Sequence, residues 1–176
     1  MVNEWATRET PAVLWGSGIY TADIDFWELT EGRCEYLTTY GDPVAAGYGF
    51  TNKTLSTREA YFDRWEQVPN MHSGIAYDIV RFILPDSLER AGTTQVDAVI
   101  EALETIDVET SRARHFVFTS SHDIMAAESL EVTQKIYQLV MGFQWQNGEM
   151  VIVYPKEFME EAGATYKFPD WPGPWD

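Results

Sequence analysis

Apolar and polar positions alternate along the chain in blocks that predict a mixed order of strands and helices. Ala12-Val13-Leu14-Trp15-Gly16 is an unbroken apolar run stopped by glycine, the pattern of a buried strand in a parallel sheet. Gly16-Ser17-Gly18 follows as a flexible turn, and Asp23 to Leu29 has the makings of a short helix. Cys34 to Tyr40 sets aromatic and β-branched residues near period two and reads as a strand, ended by Gly41-Asp42-Pro43. Gly47-Tyr48-Gly49-Phe50 then reads as a crossing loop or hinge.

The middle of the chain is helical by its spacing. Ser56-Thr57-Arg58-Glu59 has the form of a capping box, opening a helix to about Glu66 with Tyr61, Phe62 and Trp65 on one face. Pro69-Asn70 breaks it. A longer helix is predicted from His72 to Arg90, with Ile75, Ile79, Phe82 and Ile83 as its inward stripe and Pro85 expected to kink or end it. Ala91-Gly92-Thr93-Thr94 supplies a stop and the next cap. Val96, Val99, Ile100 and Leu103 then repeat at amphipathic spacing toward Ile106. Phe116-Val117-Phe118 is a short strand, and Met125 to Tyr137 fits neither period. Two strand-like runs over 143–154 flank Asn147-Gly148, a dipeptide suited to a type I′ hairpin turn. The Pro- and Trp-rich tail cannot be helical and is expected to lie across a surface on its tryptophans. The order predicts an α/β chain with a C-terminal β-hairpin.

Composition narrows the function classes. The chain has 176 residues, 45% of them hydrophobic, enough for a packed core. Twelve basic residues against 28 acidic ones give a net charge of −16, which argues against nucleic-acid and anionic-membrane partners. No apolar run approaches the ~18 residues of a transmembrane helix, and the N-terminal stretch carries acids where a signal peptide needs a basic and then an apolar segment. Cys34 stands alone, which excludes an internal disulfide.

Candidate chemistry is sparse. His72, His115 and His122 do not stand at metal-binding spacing, so no metal is expected. Gly16-Ser17-Gly18 lacks the G-x-S-x-G elbow, and no phosphate-binding glycine loop occurs. No catalytic residue and no cofactor is expected, and the chain reads as a non-enzyme. His122-Asp123 reads as a polar turn. Of the seven tryptophans, Trp15, Trp27 and Trp65 occupy apolar positions and are expected in the core. Tyr20, Tyr48 and Phe50 lie on loops after strands, where α/β folds hold ligands.

Several stretches in order resemble the C-terminal half of a type I periplasmic solute-binding protein of the branched-chain amino acid, amide and urea uptake class. They are Ala12–Gly16, Phe26-Trp27-Glu28 with Gly32–Tyr36, Ala76-Tyr77-Asp78 through Leu88–Gly92, Val99–Glu104, Phe118 through Asp123, and Phe143–Gly148 with Val151–Pro155. The resemblance implies a portion of a two-lobed fold that closes by a hinge. Residues 10–41 would belong to the second lobe, 42–107 to the first, helical one, and 108–156 to the second again, with 157–176 as an extended tail. It implies a small polar solute as ligand, a membrane permease as partner and a periplasmic or extracellular location. It also implies a loop after the first strand that pairs an acid with the ligand. Here that loop reads Ser17-Gly18-Ile19-Tyr20, with no acid before Asp23, a departure from the family pattern. Ser17, Tyr20, His72 and Ser73 are the ligand-facing residues the resemblance implies, Tyr20 as an aromatic wall and His72 as a hydrogen-bonding group. A half-core leaves apolar faces uncovered, so a homodimer is expected. A dimerising fragment without ligand and a cytoplasmic sensor of the same fold stand as the alternatives.

Overall fold

The computed structural model describes residues 1–16, 20–23, 25–125 and 141–175. In chain order its elements are α1 (Val2–Thr7), β1 (Trp15–Gly16), α2 (Phe26–Leu29), β2 (Thr38–Gly41), α3 (Pro43–Ala46), α4 (Thr54–Trp65), α5 (Met71–Asp78), a π-helical turn (Ile79–Ile83), α6 (Leu84–Ala91), α7 (Val96–Glu104), β3 (Met141–Gln146), β4 (Glu149–Tyr154) and α8 (Lys156–Glu161). The chain divides into two units, Met1–Ala46 with Val140–Asp176, and Gly47–Leu139.

The first unit is built on a four-stranded sheet in the order β1-β2-β3-β4. β1 runs parallel to β2, while β2–β3 and β3–β4 are antiparallel. Asn147 and Gly148 both take positive φ, 53° and 88°, as a type I′ turn requires, so the Asn-Gly pair makes the hairpin its sequence predicts. The Asn147 N–H donates to Glu35 Oε2 at 2.8 Å, and burial raises the Glu35 carboxyl above its ordinary range. The parallel strand is shorter than its apolar run. Only Trp15 and Gly16 pair, and Trp15 is 57% exposed rather than core. Likewise Cys34 to Leu37 turns before pairing begins at Thr38, because Tyr36 adopts φ 68° and its N–H goes to Trp145 O.

Leu37, Phe143, Trp145 and Ile152 are buried in this unit. The indole of Trp145 donates to Thr21 O at 2.8 Å, and Trp27 lies half-buried with its ring centroid 6.2 Å away. Burial pushes up the pKa of the Cys34 thiol, an inert setting for a lone cysteine. Two buried glutamines on β3 hold the tail. Gln144 donates to Lys167 O and accepts from Lys167 N–H, while Gln146 donates to Thr165 O. Further on, Trp171 packs edge-on against Trp5 at 4.9 Å and donates to Thr10 O. Tyr36 donates to Asp170 at 2.6 Å, and burial together with that bond raises the pKa of the phenol.

The second unit is helical. α4 begins two residues before the expected capping box. Its entry is held by Thr51 and Thr54, whose hydroxyls donate to Thr110 O and Ser111 O, while Ser56 sits inside the helix and bonds back to Lys53 O. Phe62 and Trp65 are exposed, so the aromatic face of α4 is not core. Pro85 does not end the helical run. The proline has no N–H and its ring collides with the carbonyl four residues back, and the chain meets this by widening to the π-helical turn directly before α6. Gly92 closes α6 at φ 63°. α7 has Gln95 at its N-cap without a side-chain cap; Thr93 Oγ1 accepts from Gln95 N–H instead. Residues 108–125, assigned by resemblance to the other lobe, pack within this unit. Single bridges join Val108 to Phe116 and Phe118 to Ile124, and Ile83, Ile106, Ala113 and Phe116 form a common core.

Candidate ligand-binding surfaces

In the first unit the exposed aromatic residues converge. Register places Tyr40 opposite Gly142 and Gly142 opposite Tyr154, so two tyrosines flank a glycine on one face of the sheet. Trp15 on β1 completes the arrangement: its ring edge lies 3.6 Å from where a Cβ on Gly142 would stand. The result is an open cleft of about 310 Å³, walled by Trp15, Tyr40 and Tyr154 and floored by the glycine backbone. Trp15, Tyr40 and Tyr154 are 57%, 39% and 51% exposed. The cleft lies on the face of the sheet, with Tyr40 next to the last residue of β2 and Tyr154 at the end of β4. The apolar run hid this, because a tryptophan in such a run reads as core.

Tyr20 lies in the turn after β1, 71% exposed, and its carbonyl accepts from Asp23 N–H. Ser17 lies outside the described residues. Phe50 is buried beneath the Arg114 guanidinium.

His72 and Ser73 belong to the second unit, side by side on the first turn of α5. Ser73 is committed to the helix end, its N–H donating to Asn70 Oδ1 and its hydroxyl to Asn70 O. His72 is exposed. One turn further in, the helix rests on a buried ion pair. Arg112 donates to Asp78 at 3.1 Å, both side chains being 6% exposed. The other oxygen of Asp78 accepts from the Ser111 hydroxyl at 2.6 Å. Gly74 makes room for the guanidinium: a Cβ there would fall 1.6 Å from an Arg112 nitrogen. The pair borders an apolar groove of about 330 Å³ between α5, the π-helical turn, α7 and the 113–124 segment. The predicted turn at His122-Asp123 is present, and His122 bonds Glu104 at 3.0 Å. Among the described residues no three His, Cys, Asp or Glu side chains are grouped to hold a metal ion.

No protein-family model matches the chain and no curated protein does. Solved structures do. A Silicibacter pomeroyi protein assigned to branched-chain amino acid ABC transport superposes with a TM-score of 0.73 at 14% identity, over 97% of this chain and 44% of its own. An extracellular ligand-binding receptor from Rhodopseudomonas palustris HaA2 gives 0.60 at 18% identity, over 86% of this chain and 43% of its own. A leucine-binding protein from Thermotoga maritima MSB8 gives 0.53 at 17% identity, over 76% and 35%. The chain has part of the type I periplasmic-binding fold. It spans less than half the length of the solved structures it matches, and at these identities the likeness is one of fold.

Proposed function

We propose that this chain is the substrate-binding component, or half of one, of an ABC-type uptake system, and that it binds a small polar solute such as an amino acid or an amide without transforming it. The observation that carries the reading is the aromatic cleft on the face of the sheet, in a fold otherwise used by extracellular ligand-binding receptors. In the first unit the reading takes in Ser17 and Tyr20, which come after Trp15 in the sequence. In the second, His72 is the hydrogen-bonding group, with Ser73 holding the turn that presents it. A periplasmic or extracellular location and delivery to a membrane permease belong to the same proposal.

Thermal unfolding of the purified chain against a panel of amino acids, amides, urea and small carboxylates tests it. A ligand at 100 times its dissociation constant adds about 2.7 kcal/mol, which raises the midpoint of a chain this size by roughly 5–10 °C. A selective shift that Trp15→Ala or His72→Ala abolishes is the expected result. No shift across the panel overturns the reading.

A further inference from the structure

The aromatic cleft of the first unit has a lining that selects for one kind of head group. Tyr40 and Tyr154 stand on the two strands either side of β3, both level with Gly142. Strands lie ~4.8 Å apart and side chains rise roughly perpendicular to a sheet, so the two rings stand about 10 Å apart across a residue with no side chain. A flat ring in contact with one wall, at ~3.5 Å, leaves the other untouched. A compact cation midway is about 5 Å from each ring, within the ~6 Å over which a π-system holds a cation. Trp15, of the residue type that holds cations best, reaches the same glycine and completes the enclosure.

Among the described residues the lining has no charged side chain, so a carboxylate would find no cation there. A primary ammonium would bring three N–H donors to side chains whose acceptors are two phenol oxygens, and a donor taken out of water without an acceptor costs free energy. A quaternary ammonium has no N–H to satisfy. The field of the unit favours a cation as well. Met1–Ala46 with Val140–Asp176 has fourteen acidic residues against four basic ones, and three of those four, Arg8, Arg33 and Lys156, are paired with carboxylates. We propose that the cleft binds the methylated ammonium group of a small quaternary-amine solute, held by Trp15, Tyr40 and Tyr154 through cation–π contact. The inference rests on the reading of this cleft as a solute site and names the head group it takes.

Calorimetric titration of the full chain with choline, and with its carbon isostere 3,3-dimethylbutan-1-ol, tests it. The two probes share a shape and differ in charge. Choline should bind roughly tenfold or more tightly than the isostere. Trp15→Leu and Tyr40→Leu keep an apolar wall but remove a π face, and each should weaken choline binding about fivefold or more. Trp65→Leu, exposed in the other unit, should leave it within about twofold of wild type. Should either cleft variant lose its far-ultraviolet dichroism, Tyr154→Leu replaces it. Equal binding of the two probes overturns the proposal, as does choline binding that no cleft variant weakens. Amino acids and amides titrated alongside separate the two readings. One of these bound through Trp15 while choline is not overturns the head group alone, and no binding by any probe overturns the cleft as a solute site too.

Discussion

Gly74 shows how much a single missing side chain can decide. A methyl group at this position would collide with the guanidinium of Arg112, the far end of a long side chain but one pinned to Asp78 in a buried pair. Dislodging one member of such a pair leaves the other charge buried and uncompensated, at about 3–5 kcal/mol. Gly74→Ala should therefore lower stability by roughly 2–4 kcal/mol, partial relaxation of the arginine included. Urea unfolding followed by tryptophan fluorescence reads it, and a loss under about 1 kcal/mol would show that the pair re-forms around the methyl. None of this was legible beforehand, since Asp78 and Arg112 lie 34 positions apart and nothing in either local pattern marks a partner. The exposed tryptophans failed for the related reason that an apolar residue carries no label for the face it ends on.

At the level of elements, local rules served where the deciding contacts are local. The Asn-Gly turn chose its hairpin because both residues tolerate positive φ, and Gly92 ended α6 on the same ground. They failed where a distant group won. The helix entry at Thr54 is set by the carbonyls of Thr110 and Ser111, not by the Ser56–Glu59 spacing. The tail's attachment to β3 was half legible: its tryptophans announced anchoring, but nothing in the local pattern marked the two glutamines that pair with its backbone. Gln144 satisfies both the N–H and the carbonyl of Lys167. Gln144→Leu keeps the size and strands those groups, so stability should fall by about 1–3 kcal/mol. The tail should also become cleavable at Lys167 by trypsin under conditions where the wild type resists, and an unchanged digestion pattern would count against this attachment.

For the whole molecule the governing quantity is charge. With a net −16 the folded chain repels itself, and added salt screens that repulsion. Raising sodium chloride from about 0.05 to 0.5 M, over which the screening length falls from roughly 14 to 4 Å, should raise the urea midpoint at pH 7 in dilute solution. A flat or falling midpoint would mean that the acids are spaced widely enough not to matter. The fold class was legible from the order of apolar runs, and the Silicibacter pomeroyi structure agrees with it over 97% of the chain. What composition could not supply is which surface of each unit is left uncovered, because that depends on contacts between segments far apart in sequence.

The register of β2 on β3 has one more consequence. Gly41 pairs with Met141, so the chain leaves β2 and enters β3 at one rung of the ladder, and the helical unit falls between the two in sequence. Topologically the helical unit is a cassette spliced into a hairpin. Lengthening or shortening such an excursion changes the closure entropy by only ~0.6 kcal/mol per doubling. Insertions or deletions within the cassette therefore carry a small closure cost for the pairing of β2 with β3.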